Sequence, residues 1–160
     1  MPAQTALHLA ALKNIATRLR IDSLRATSEA GSGHPTTCCS AAEIMSALFF
    51  AEMRYDPRDP GNADNDRFVL SKGHAAPVLY AAWAEAGIIS EEELQTYGSD
   101  ESRLPMSAMA SYTPGVEISG GSLGHGLAVA NGIAMGLRHL GNPARVFNLL
   151  SDGELDEGST

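Results

Sequence analysis

Asp152 follows the short apolar run Val146 to Leu150 and precedes Gly153, which puts a carboxylate at the carboxyl end of an expected buried strand. Open parallel sheets bind ligands at that end. One carboxylate beside phosphate oxygens is a common way to hold Mg²⁺, an ion that keeps few protein ligands. A glycine with access to positive φ would let the chain turn at Gly153 and aim backbone N–H groups at an anion. Three other loops set a glycine directly before a histidine, at His34, His74 and His125. No two of these stand at the separation of about three to five residues usual for zinc ligands. Loops on one edge of a doubly wound sheet nevertheless converge on one crevice. Taken locally, Asp152-Gly153 reads first as a plain turn, and His34 is as well explained as a histidine held in a Gly-Pro turn.

The elements that position these residues follow from periodicity and turn signals. Leu9, Leu12, Ile15 and Leu19 recur at helical spacing and predict one helix from about Thr5 to Ala30, stopped by Gly31-Ser-Gly-His-Pro35. Ser40-Ala-Ala-Glu43 reads as the capping box of the next helix, whose apolar stripe is Ile44, Met45, Leu48, Phe49 and Met53. Beyond a Pro-rich connection, Arg67–Leu70 reads as a strand and Ser71–His74 as a small-residue loop. A helix from roughly Ala75 to Ala86 closes at Gly87, completing the first half of a βαβ unit. Ser90–Glu93 is a second capping box. From Gly98 to Gly121 no periodicity remains, which at that length marks a functional or surface excursion. Gly120–Gly126 then opens a helix to about Leu140. Ala128, Gly132 and Gly136 share one of its faces, and since glycine costs roughly 1 kcal/mol in a helix interior, the pattern suggests close backbone approach. His8 and His139 read as surface groups, His139 beside a helix C-terminus.

At 160 residues with 44% apolar side chains, the chain suits one α/β domain with a real core. A net charge of -8 and a pI near 5.0 argue against nucleic acid and against an anionic membrane surface. A phosphorylated ligand would therefore be held by local groups rather than by a global field. Cys38 and Cys39 are adjacent, a placement that seldom pairs and that fits a reducing, cytoplasmic compartment. No apolar run approaches a membrane span, and the start Met1-Pro-Ala-Gln lacks a basic-then-apolar signal.

Five stretches, in order, resemble the N-terminal, pyrophosphate-binding half of the transketolase family. They are Gly31-Ser-Gly-His-Pro35, Asp66-Arg-Phe-Val-Leu-Ser-Lys-Gly-His74, Thr113-Pro-Gly-Val-Glu117, Gly121-Ser-Leu-Gly-His-Gly126 and Asp152-Gly-Glu-Leu-Asp-Glu-Gly158. The resemblance implies a thiamine diphosphate-binding fold, a parallel sheet flanked by helices, spanning residues 1–160 as an incomplete pyrophosphate-binding half. It implies Asp152 as a Mg²⁺ ligand and Gly153 beside the diphosphate. His74 would reach the diphosphate or substrate, and His34 would line the substrate channel, both as candidate catalytic residues. Gly121, Ser122 and Leu123 would lie along the cofactor, with Leu123 under its pyrimidine. Glu157 would be a buried carboxylate near the subunit interface. The cofactor supplies the electron sink for ketol transfer, while the protein supplies orientation, proton transfer and a dry cleft.

Three departures qualify what is carried over. Ser151 stands where the family's metal motif begins with glycine. The asparagine pair that closes that motif in the family is not found within these 160 residues, so 160 residues alone are expected neither to bind the cofactor tightly nor to turn over substrate. The middle loop, Ser102 to Tyr112, lacks the family's cofactor-contacting histidine and carries Met106 and Met109. That style is nearer to split bacterial transketolases and points to a modified sugar, rather than xylulose 5-phosphate, as best donor. The implied partner is a separate C-terminal transketolase subunit, assembled as a dimer of heterodimers, with Ala128, Gly132, Gly136 and Glu157 as candidate contacts. The small residues read equally well as packing on the chain's own sheet. The alternatives are a non-catalytic assembly module and another thiamine diphosphate enzyme, such as a deoxyxylulose phosphate synthase.

Overall fold

The computed structural model describes residues 2–160, with side chains described from His8 onward. Helix α1 (Pro2–Glu29) is one continuous element whose buried face steps through Ala16, Leu19, Ser23, Ala26 and Thr27. The hydroxyls of Ser23 and Thr27 donate back to the carbonyls of Leu19 (2.7 Å) and Ser23 (2.8 Å), so this polar pair is buried with its donors satisfied. Helix α2 (Pro35–Ala47) begins earlier than the Ser40 capping box suggested. Proline supplies a ready-made helical φ in the first turn, where a missing N–H costs nothing. Ser40 lies inside the helix and donates to the carbonyl of Thr37 at 3.0 Å. A single wide turn, Leu48–Glu52, ends the helix.

Strands β1 (Arg67–Leu70) and β2 (Val146–Leu149) pair in parallel, with Arg67 opposite Val146 and Leu70 opposite Leu149. Between them run α3 (Ala76–Glu85), α4 (Glu91–Leu94) and α5 (His125–His139). Helix α3 is buried from Ala76 to Trp83 and packs against α1 and α2, while α5 packs on the strands. This is the expected parallel sheet flanked by helices. Gly87 closes α3 at φ +75°, and the Ser90 hydroxyl caps α4 by accepting from Glu93 N–H at 3.1 Å, both as the sequence predicts. The stretch from Gly98 to Gly121 is irregular but well tied down. Leu104 and Ala108 are buried, the Tyr80 hydroxyl donates to Pro105 O at 3.0 Å, and Gly120 N–H donates to Ala108 O at 2.8 Å.

Two expectations fail. In β2 only Leu149 is buried, not the whole strand. Ala128, Gly132 and Gly136 are all exposed on α5, and a Cβ added at either glycine meets nothing within 4 Å. The close approach to the chain's own sheet is therefore not made.

The opposite end of the sheet is locked by Asp66, whose side chain is 0% exposed. It accepts from the backbone N–H groups of Arg54 (2.9 Å) and Arg145 (2.8 Å) and from the Arg145 guanidinium (2.8 Å). Burial alone would raise its pKa, but these donors outweigh that cost and hold the carboxyl at about 2. The folded value lies below the unfolded one. The stabilisation is thus complete above about pH 4 and is lost as pH falls through about 2. Asp66→Asn is expected to lower unfolding stability at pH 7 by about 2 kcal/mol. In urea titrations the deficit should shrink as pH falls towards 2, and a deficit independent of pH would contradict this account.

Candidate functional site

Both strands end at the same edge, where Ser71 follows β1 and Ser151 follows β2. Three segments meet there: 71–75, 120–126 and 151–157. The first two touch through backbone. A Cβ on Gly73 would lie 2.6 Å from Gly121 N and 2.8 Å from Gly120 C, so only glycine permits the approach. The third segment is joined to the others by Glu154, 0% exposed at the turn Gly153–Asp156. Its carboxylate accepts from the Ser71 hydroxyl, from Gly124 N–H at 2.8 Å and from Ser151 N–H at 3.2 Å. The sequence reading missed Glu154.

Glu157, expected as a carboxylate that a subunit interface would bury, leaves the turn in extended backbone (φ -72°, ψ 136°) and is exposed on the single chain. The turn therefore puts Glu154, not Glu157, inside this chain. Gly153 does not take positive φ. Asp152 already has helical torsions (φ -60°, ψ -47°), so the strand runs straight into a short right-handed turn and needs no left-handed residue. Among the described residues no non-glycine residue has positive φ, so serine at 151 adds no backbone strain.

His34 is the N-cap of α2 and is exposed, while His74 sits in the short turn Gly73–Ala75 and is half-buried. Their rings meet edge-on, with centroids 5.1 Å apart and planes at 66°. Burial, then the neighbouring His34 and Lys72, hold the His74 pKa below the ordinary imidazole value, against an opposite pull from Glu154. His74 is therefore neutral at pH 7 and can accept a proton. His125 opens α5 and is exposed, and its ring pairs with neither of them among the described residues. Lys72, also missed in the sequence, is 7% exposed, and its ammonium has no carboxylate partner among the described residues. The signal available was a lysine between a strand end and Gly-His.

The fit to a diphosphate and a divalent cation rests on this donor set. Gly121 (φ +130°) and Gly153 each face open space, since an added Cβ would meet nothing within 4 Å, so backbone can approach a ligand at both. Ser122 is exposed and Leu123 half-buried beside them. Asp152 is exposed and forms no ion pair among the described residues. No three His, Cys, Asp or Glu side chains converge as a metal cage among the described residues. A single carboxylate suits a Mg²⁺ ion held mainly by phosphate oxygens. The groups present fit.

Comparison with known proteins agrees with this geometry. Transketolases of Pongo abelii and Homo sapiens are 56% and 55% identical over 155 residues, covering 94% of this chain and 24% of each relative. The transketolase family protein y4mO of Sinorhizobium fredii is 50% identical over 153 residues, covering 96% of this chain and 55% of that protein. The chain thus spans about a quarter of the transketolases and about half of y4mO. Among solved structures, transketolase from Leishmania mexicana superposes with a TM-score of 0.88 at 32% identity, covering 92% of this chain and 24% of that one. Transketolase from Campylobacter jejuni gives 0.86 at 34% identity, with 92% and 24% covered. Residues 11–160 match the family described as transketolase, thiamine diphosphate binding domain, and the chain belongs to that family.

Proposed function

We propose that this chain is the pyrophosphate-binding, N-terminal part of a thiamine diphosphate- and Mg²⁺-dependent transketolase. It would move a two-carbon ketol unit from a ketose phosphate to an aldose. The observation that carries the reading is the convergence of segments 71–75, 120–126 and 151–157 at one sheet edge, with the rings of His34 and His74 meeting edge-on beside it. Thiamine diphosphate, when bound, supplies the electron sink. Asp152 would hold the metal, Gly121, Ser122, Leu123 and Gly153 would line the cofactor, and Lys72 would face the diphosphate. His74, neutral at its imidazole nitrogen, would take a proton from a sugar hydroxyl, with His34 on the solvent side to pass it on.

A separate C-terminal subunit would complete the cleft. The chain covers 55% of y4mO but 24% of the primate transketolases over nearly equal alignments, so y4mO is less than half their length. That proportion supports a split arrangement, a dimer of heterodimers in the family's symmetric manner. The open face of α5, with exposed Met135 and Leu140, and the exposed Glu157 would contribute contacts. No described helix is long and apolar enough to cross a membrane, and the free thiols of Cys38 and Cys39 favour a reducing, cytoplasmic setting.

The test is ketol transfer by the chain co-purified with its C-terminal partner, thiamine diphosphate and Mg²⁺, with xylulose 5-phosphate run against modified ketoses. Asp152→Ala is expected to lower Mg²⁺-dependent activity at least about tenfold. His139→Ala, on the exposed end of α5, should change it little. Equal effects would show that the site is misplaced. Pyruvate decarboxylation without ketol transfer would mean another thiamine diphosphate reaction. A win for xylulose 5-phosphate would overturn the expectation of a modified donor drawn from Met106 and Met109.

A further inference from the structure

Glu154 is buried without a cationic partner at ion-pair distance among the described residues. Such a group is costly to desolvate unless hydrogen bonds replace its water. All three of its side-chain partners donate, the arrangement that a carboxylate satisfies. Each donor belongs to a different segment. Ser71 leads into His74, Gly124 caps α5 directly after Gly121–Leu123, and Ser151 directly precedes Asp152. The contacts span 83 and 30 residues of sequence, so they fix parts of the chain that local structure leaves independent. The carbonyl of Glu154 is itself held by the Thr160 hydroxyl at 2.9 Å, which limits how far the side chain can move.

We propose that Glu154 is a positioning residue. Its carboxylate sets the separation between the Gly121–Leu123 strip, the Asp152–Gly153 turn and the His74 loop, so that its loss weakens thiamine diphosphate binding rather than turnover. The proposal rests on the functional reading above, and Glu154 itself touches no substrate. Glutamine at 154 keeps an acceptor for Ser71 and Gly124 but turns an NH₂ towards the Ser151 N–H. Alanine removes all three bonds.

The test uses the complex with the C-terminal partner, comparing wild type, Glu154→Gln and Glu154→Ala. Thiamine diphosphate Kd is measured by calorimetry, kcat at saturating cofactor, and amide hydrogen exchange on cofactor-free protein. Alanine is expected to raise Kd by about tenfold or more, glutamine by less, with kcat at saturation within about twofold. Exchange at Gly124 and Ser151 should quicken about tenfold while the core amides of Met45 and Tyr80 stay protected. If the alanine variant fails to fold, Ser71→Ala removes one donor and carries the same measurements. Unchanged Gly124 exchange in a folded variant overturns the proposal, as does a fall in kcat at saturation with Kd unaltered. A wild type that binds thiamine diphosphate, with variants identical to it, removes the positioning role alone. A wild type that binds none removes the functional reading as well.

Discussion

Gly126→Ala is expected to abolish measurable ketol transfer and to destabilise the chain by about 3 kcal/mol, at the upper end for overpacking. Gly126 is buried in the first turn of α5, and a Cβ there would fall on the hydroxyl, Cβ and Cα of Ser71, the last at 2.7 Å. A side-chain tip could swing aside, but a backbone carbon at a strand end cannot. Helix α5 would have to lift from β1, taking Gly121–Leu123 with it and breaking the Gly124–Glu154 bond. Gly132→Ala, on the same helix, is the opposite case. Its Cβ meets nothing within 4 Å, so alanine should raise stability by roughly 0.5–1 kcal/mol through helix propensity. Chemical denaturation of both variants is the check. A Gly126→Ala protein as stable and active as wild type would mean that the packing of α5 on Ser71 is not what holds the site together.

What could be read in the sequence was what is decided within a few residues. Arg67–Leu70 is a strand because a short apolar run is bounded by a polar turn before it and a small-residue loop after it. Gly87 and Ser90 mark helix ends because each acts on backbone one turn away. The start of α2 was misplaced where two local signals compete: Ser40–Glu43 fits the capping pattern, but Pro35 begins the helix first and turns Ser40 into an interior residue. Glu154 could not be chosen over Asp152 or Glu157, since all three stand in one acidic run. What distinguishes it is the arrival of Ser71 and Gly124 from far away in sequence. The open face of α5 shows the same limit. Its small residues suggested contact, but a periodic pattern does not say whether its partner lies in the same chain.

Lys72→Met is expected to weaken cofactor binding and raise the His74 pKa while leaving stability nearly unchanged. Lys72 is 7% exposed, has no carboxylate partner among the described residues, and depresses the pKa of the neighbouring His74. Its stem is covered, while its ammonium is not among the buried side-chain atoms that lack a hydrogen-bond partner and so stays within reach of water. Methionine keeps the stem's length and packing and removes the charge. The cofactor-free protein should therefore change little in stability, by about 0.5 kcal/mol or less. If the diphosphate is the missing counter-ion, its binding should weaken on the order of 100-fold, the loss of a buried charge-assisted contact. The His74 pKa should rise at the same time, since a nearby positive charge that opposes its protonation is gone. Thermal denaturation without cofactor, calorimetric titration with thiamine diphosphate and Mg²⁺, and imidazole titration followed by NMR read the three effects separately. A variant that is less stable without cofactor but binds thiamine diphosphate as wild type does would show that Lys72 serves the fold alone. The diphosphate would then have to be neutralised by other groups.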